Sequence, residues 1–272
     1  AYMKTRETIR QDLAALIGSD RVITDENVLK ESSVDRYRKY QWIHNTYTRP
    51  LPAAVVKAKD AAQVSQVLAY CNQYGINCVP RTGNSATEAG LETIVADSIV
   101  LDGSDMSAIL SIDTYNMQAT AQCGVPLERL EDLLREQGFT TGHSPQSKPL
   151  AQLGGLVATR SIGQFSTLYG GIEDMVVGLE AVLPDGEIVR LGGKGMGDSG
   201  YDLRGVVIGS DGLIGIVTQV TVRILPAPQV ARALLIGFGD IEDAARCVAS
   251  VIAAGIIPAG MELMDRAAVN AS

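Results

Sequence analysis

The sequence is poor in aromatic residues and in histidine. Phe, Tyr and Trp make up 5% of its 272 residues, and its two histidines are His44 and His143. Its four cysteines, Cys71, Cys78, Cys123 and Cys247, form no CxxC pair and no Cys/His group with zinc-ligand spacing. That spacing excludes a structural zinc site and a disulfide scaffold, so no metal is expected and the thiols read as free, buried groups of a cytoplasmic protein. No apolar run reaches the length of a membrane span, and no signal-peptide pattern precedes the first charged helix. Basic residues are also short, 23 Lys and Arg against 31 Asp and Glu, for a net charge of −8. Such a balance argues against nucleic acid as a partner. It leaves room for a small anionic ligand, because backbone N–H groups hold one whatever the net charge.

Glycine is what the chain has in quantity, 28 residues against a hydrophobic content of 46%. The length suits one large domain or two smaller ones. The glycine implies many tight turns or close backbone approaches.

Hydrophobic periodicity orders the elements. Ile9, Leu13, Leu16 and Ile17 share one face of a helix over 5–17 that Gly18 stops. A strand over 53–56 leads to a helix capped by Asp60, with Val64, Val67, Leu68 and Cys71 as its buried stripe and Gly75 as its stop. A second strand over 76–80 completes a strand–helix–strand unit, parallel by the usual crossover rule. Strands follow over 98–101, 108–113 and 118–122, then a helix from Pro126 to Gly138. A hairpin joins 176–183 to 187–191 around Pro184-Asp185-Gly186. Residues 192–200 read as a flexible glycine-rich connection, 201–212 as a short helix and turn, and 215–225 as an alternating, half-buried strand. Pro226 and Pro228 mark a boundary. Beyond it, a strand over 231–238, a helix over 241–254 and a strand over 256–264 make half of a ferredoxin-like layer, too little to close a core. The layer is expected to continue past Ser272. Residues 231–264 are expected to be covered by that continuation, by a second copy of the chain or by a partner.

Three glycine-bearing stretches are candidates for holding a ligand. "RTGNSATEAG" (81–90) follows the second strand of the parallel unit, where α/β sheets bind ligands. It is either a phosphate cradle or a plain polar turn. "GHSPQSKPLAQLGGLVATRSIG" (142–163) carries Gly154 and Gly155, which either admit a ligand or mark tight packing. "GSDGLIGIVT" (209–218) has more glycine than a turn needs and reads as backbone lying along a ligand.

In this order the three stretches resemble the FAD domain of the vanillyl-alcohol oxidase type of flavoprotein, across about residues 45–228 and more weakly 229–265. "GHSPQSKPLAQLGGLVATRSIGQFSTLYGGIEDMVVGLEAVLPDGEIV" is similar to alkylglycerone phosphate synthase and its bacterial relatives. "GSDGLIGIVTQVTVRILPAP" is similar to the family's GSEGTLGI(I/V)T strand entry. "IIPAGMELMD" is similar to the start of the cap domain in the glycolate oxidase and D-lactate dehydrogenase branch.

The resemblance implies an α+β, PCMH-type fold of two subdomains, a small parallel unit and a larger mixed or antiparallel sheet, followed by the start of a cap. Residues 1–47 would be an N-terminal helical segment, 48–228 the FAD-binding domain divided at about 113, and 229–272 the incomplete cap. Pro80, Arg81, Thr82, Gly83, Asn84, Ser85 and Ala86 would wrap the FAD pyrophosphate. The stretch from Gln146 and Ser147 to Gln152 would line the flavin, with Leu153, Gly154 and Gly155 beside it. Thr159, Arg160 and Ser161 would hold pyrophosphate and ribityl oxygens. Asp211, Gly212, Gly215, Ile216 and Val217 would run past the adenosine and the flavin edge.

The departures are specific. The family's first loop is richer in glycine. Asn84 tolerates the left-handed backbone that glycine supplies there, and Thr82 is expected to do so only at a cost. Asp211 replaces the family's Glu, and Leu213 its Thr. Covalent attachment is not expected. His143 reads as a turn or supporting residue and His44 as structural. The resemblance implies an FAD-linked oxidoreductase acting on a small 2-hydroxy acid. An enzyme like alkylglycerone phosphate synthase is a second reading, and an FAD-binding or electron-transfer module without its own catalytic residues a third. The family's catalytic groups lie in the C-terminal domain, so no catalytic residue is assigned.

Overall fold

The computed structural model describes residues 4–193 and 200–271, without the side chains of Tyr40 and Trp42. Helix α1 (Arg6–Ile17) starts at Thr5, whose hydroxyl accepts from Thr8 N, and buries Ile9, Leu13 and Ile17. A short strand β1 (Val22–Ile23) and two short helices, α2 (Glu26–Glu31) and α3 (Lys39–Ile43), lead to β2 (Ala54–Lys57). The Asp60 carboxylate accepts from Gln63 N to cap α4 (Ala61–Tyr74), and Gly75, at φ 66°, ends it in the left-handed conformation. Strands β3 (Cys78–Arg81) and β4 (Ile99–Asp102) complete a sheet of order β1-β2-β4-β3. β2 and β3 are parallel, as expected, but each pairs with β4, which lies between them. All four residues of β4 are buried, which suits them to the middle of the sheet.

The second sheet is antiparallel, built from β5 (Ile109–Asp113), β6 (Gln118–Gln122), β8 (Val176–Val182), β9 (Ile188–Gly192) and β10 (Ile216–Arg223) in the order β5-β6-β10-β8-β9. Between β6 and β8 run α5 (Leu127–Glu136), β7 (Phe139–Thr140), α6 (Leu153–Ala158), α7 (Ser166–Tyr169) and α8 (Ile172–Met175); α9 (Arg204–Val207) precedes β10, and β11 (Leu225–Pro226) pairs with β7. The alternation of β10 predicts a half-buried strand. It is instead the central strand, covered on both faces. Its two threonines, Thr218 and Thr221, are buried because they find partners across the sheet. Thr221 and Thr120 share a hydrogen bond of 2.9 Å, and the Thr218 hydroxyl donates to Glu180 Oε1 at 2.9 Å. The two sheets share core residues, with Cys123 and Val182 packing among the residues of α4 and β4. The Ser65 hydroxyl of α4 donates to the Gly186 carbonyl, docking the β8–β9 turn.

The strands expected over 231–238 and 256–264 do not form. Neither segment has a ladder partner among the described residues, and Leu234 and Leu235 are 87% and 93% exposed. A strand needs a neighbour for its N–H and C=O groups. The helix between them, α10 (Ile241–Ala253), bonds to itself and forms, capped by Asp240 on Asp243 N. Of the connection expected over 192–200, residues 194–199 lie outside the described residues. All four cysteines are unpaired, but Cys78 and Cys247 are half-buried where buried thiols were expected.

Candidate functional site

A cleft of about 490 Å³ opens where the two sheets meet, a size typical of small-molecule sites. Its first wall is the loop at the C-terminal end of β3. Pro80, Arg81, Thr82, Gly83, Asn84, Ser85 and Ala86 all line it, and the lining continues through Thr87, Glu88, Gly90 and Leu91. Its second wall carries Ser147, Gln152, Gly154, Gly155, Thr159 and Ser161. Its third carries Asp211, Gly212, Gly215, Ile216 and Val217. The three glycine-bearing stretches therefore converge on one cavity.

Three expected residues stay out of it. Leu153 is 1% exposed and packs in the core of the larger sheet. Gln146 faces solvent. Arg160 turns away and donates through Nε to Glu173 Oε1 at 3.0 Å. Conversely, Val64, Leu101, Gly103, Met106, Cys123, Leu156 and Ala158 line the cleft without being expected there. Leu101 and Gly103 end a parallel strand, so the rule that located the first loop also reaches them. No local pattern marks Val64 or Cys123, which arrive through tertiary packing. His44 lies exposed, away from the cleft.

Close backbone contact holds the walls together. A Cβ on Gly83 would collide with the Leu150 carbonyl oxygen and sit 2.9 Å from Gln152 N. A Cβ on Gly154 would stand 2.6 Å from Cys123 Cβ. Both positions require glycine for packing of protein on protein. The first two free amides of α6 are likewise committed, Leu153 N to Val125 O at 3.1 Å and Gly154 N to Cys123 O at 2.9 Å. Asn84 and Asp211 adopt left-handed backbone at φ 52° and 51°. Asn84 thus stands in for glycine as expected. Thr82 does not. It lies outside the left-handed region, so the cost expected there is absent.

The charges are mostly internal. Arg81 Nε donates to Asp102 Oδ2 at 3.0 Å, leaving no unpaired cation on the first wall. Burial pushes the Cys123 thiol up to about 12, so it stays protonated near neutral pH. His143 is 2% exposed, and burial pushes its imidazole down to about 4 against the opposing pull of Glu131 and Glu173.

The cleft has groups that call for a ligand. Gln152 lines it, and its Oε1 is buried with no partner among the described residues. It is one of several buried polar atoms without a partner among the described residues, and of these it is the one that faces the cleft, where a ligand donor can reach it. Around it stand the hydroxyls of Thr82, Ser85, Thr159 and Ser161 and an apolar wall of Leu101, Met106, Ile216 and Val217. That set fits a flat ring system joined to a polar, hydroxyl-rich chain, which is the make-up of FAD.

Comparison with known proteins agrees. The FAD binding domain family matches residues 52–192, and the C-terminal domain of the FAD linked oxidases matches 227–272. The chain is 62% identical over 220 residues to the uncharacterized FAD-linked oxidoreductase YgcU of Escherichia coli K12, covering 81% of this chain and 46% of that protein. It is 35% identical over 217 residues to the glycolate oxidase subunit GlcD of Bacillus subtilis, covering 79% of this chain and 46% of that one. It is 32% identical over 225 residues to the mitochondrial D-lactate dehydrogenase [cytochrome] 1 of Saccharomyces cerevisiae, covering 82% and 38%. The chain thus spans less than half the length of these relatives. A solved alkyldihydroxyacetonephosphate synthase superposes with TM-score 0.82 at 24% identity, over 94% of this chain and 47% of that one. A p-cresol methylhydroxylase superposes with TM-score 0.75 at 23% identity, over 90% and 48%. These two establish the fold as the PCMH type. With more than half of its length matched, the chain belongs to the FAD binding domain family, whose cofactor is FAD.

Proposed function

We propose that this chain is the cofactor-binding part of an enzyme that oxidises a small 2-hydroxy acid of the D-lactate or glycolate type, with FAD held non-covalently in the cleft. The observation that carries it is the convergence of three distant stretches on one cavity whose buried Gln152 Oε1 awaits a donor. Similarity to the glycolate oxidase subunit and the D-lactate dehydrogenase supports the substrate class. When bound, FAD supplies the hydride acceptor.

The chain's own residues bind and orient. Ser85 and the backbone from Pro80 to Ala86 take the phosphates, with Ser161 as a further hydroxyl donor; the Thr159 hydroxyl already donates to Gly155 O at 2.9 Å and can only accept. Gln152 accepts from a ring or ribityl donor. Leu101, Met106, Ile216 and Val217 exclude water from one side of the ring system. Non-covalent binding is supported by His143 lying outside the cleft lining and by the protonated state of the Cys123 thiol. Residues 48–228 serve as the FAD-binding domain, 1–47 as a helical segment before it and 229–272 as the start of a cap. The exposed apolar residues of 231–264 support a cover there, either the rest of the cap, a second copy or a partner. Four unpaired thiols favour a reducing, cytoplasmic setting.

A second reading, an enzyme like alkylglycerone phosphate synthase, is supported by the 142–189 stretch. A module that carries electrons for catalytic groups elsewhere is supported by the uncovered 231–264 segment. Spectroscopy separates them. The purified protein is expected to show flavin absorption, bleached anaerobically by D-lactate or glycolate and not by L-lactate. Flavin absorption that no hydroxy acid bleaches would favour the other two readings. A colourless protein that cannot be reconstituted with FAD would overturn all three.

A further inference from the structure

Ser161 lines the cleft, and its Oγ lies 3.0 Å from His143 Nε2. His143 itself sits behind the lining. Its backbone N–H donates to Thr141 Oγ1 at 3.1 Å, and the Thr141 N–H donates to Glu131 Oε1 at 2.7 Å. The Thr140 hydroxyl donates to Glu131 Oε2 at 2.7 Å. The ring is thus carried on main chain anchored to a buried carboxylate. Ser161 is pinned as well, its N–H donating to Leu156 O at 2.9 Å and its carbonyl accepting from Ile172 N at 3.1 Å. The second ring nitrogen of His143, Nδ1, is buried with no partner among the described residues.

That unpartnered nitrogen decides where the proton sits. With the proton on Nδ1, a buried N–H has no acceptor, an arrangement folded proteins rarely tolerate. With the proton on Nε2, Nδ1 presents only a lone pair, the milder loss, and Nε2–H donates to Ser161 Oγ. A doubly protonated ring would add a buried charge to the unpartnered N–H, and burial disfavours it near neutral pH. A serine oxygen that accepts from the ring keeps its own O–H free to donate.

We propose that His143 is a positioning residue: its Nε2–H tautomer turns Ser161 into a hydrogen-bond donor aimed into the cleft, at an acceptor oxygen of the bound cofactor. The identity of that acceptor rests on the FAD reading above; the tautomer does not.

Nitrogen-15 NMR of the histidine-labelled protein at pH 7 reads the tautomer directly. The chain has two histidines, and His143→Gln removes one of the two signals. The expected state is Nε2–H; an Nδ1–H ring or an imidazolium overturns the proposal whether or not FAD binds. FAD titration of the cofactor-free protein gives a second readout. Ser161→Ala and His143→Leu are each expected to weaken binding about tenfold, and the double variant no further. His143→Gln, whose Nε2 also donates, stays within about threefold of the parent. Full additivity, or parental affinity in a folded His143→Leu variant, overturns the proposal. Should His143→Leu not fold, the Gln variant and the NMR signal still decide it. A parent protein that takes up no FAD refutes the cofactor reading, and the tautomer is still decided by the spectrum.

Discussion

Arg81 and Asp102 close the C-terminal ends of two neighbouring parallel strands, β3 and β4, through a 3.0 Å bond from Nε to Oδ2. Their side chains are 12% and 7% exposed, and Asp102 also accepts from Ser104 N at 2.9 Å. The pair fixes the root of the first loop, so on the FAD reading proposed above phosphate recognition would fall to backbone and hydroxyls. Asp102→Asn leaves a buried guanidinium without its counter-charge. It is expected to cost about 3 kcal/mol of stability and to weaken FAD binding. Urea unfolding checks the first and FAD titration the second; unchanged stability would mean the pair is hydrated.

Thr82 and Asn84 respond to glycine in opposite ways. Asn84, at φ 52°, is in the conformation glycine favours, so Asn84→Gly is expected to be neutral or stabilising, and Asn84→Ala to cost about 1 kcal/mol. Thr82 needs no left-handed backbone, and its side chain packs between two glycines. Its Oγ1 lies 3.0 Å from where a Gly155 Cβ would stand, and its Cγ2 3.4 Å from where a Gly103 Cβ would stand. Thr82→Gly is therefore expected to lose about 1 kcal/mol and to weaken FAD binding. Tighter binding would restore the view, taken from the family's loop alone, that Thr82 is a defect.

Gly83 tests whether the loops must touch. A methyl group there meets backbone of the second stretch, which no side-chain rotation can relieve. Gly83→Ala is expected to cost about 3 kcal/mol and to abolish FAD binding. Gly75 supplies the control. Its φ is 66° and nothing lies within 4 Å of its missing Cβ, so Gly75→Ala is expected to cost about 1 kcal/mol and leave binding intact. Thermal melts with and without FAD separate the two effects.

How much of this was legible depended on whether a residue's role is local. Asp60 and Gly75 bound α4 through their own side chain or φ, and both were readable from type and position. Position relative to a parallel strand end located the first loop, and glycine density the third stretch. Tight packing at Gly154 is one of the two readings the sequence offers, but it does not name the partner, because Cys123 lies on another element. The fate of Thr82 was misread because a family pattern was taken for a backbone requirement. β10 was placed too near the surface, since alternation cannot tell solvent from a cross-strand hydroxyl such as Thr120. The tail strands failed for a different reason. Ladder bonds belong to two segments, and no partner for 231–238 or 256–264 lies among the described residues.

Burial of His143 makes stability fall with acid in a defined window. Its pKa is about 4 in the folded protein, against about 6.5 for a solvated histidine. Between those values the unfolded chain holds a proton that the folded chain does not. Stability therefore rises with pH through the window and is lost as pH falls. From pH 7 to 5 the loss is about 2 kcal/mol. Carboxylates add their own protonation at the lower end, so the measure is a difference between two proteins rather than one slope. His143→Gln removes the titrating ring, and its stability is expected to fall about 2 kcal/mol less than the parent's over that interval. Urea midpoints at pH 7 and pH 5 for both proteins give the comparison. Above about pH 7.5 the two curves should run parallel, because neither protein then takes up a proton at this position. Curves that stay parallel down to pH 5 would show that the ring titrates as it does in water, which the packing around it does not permit.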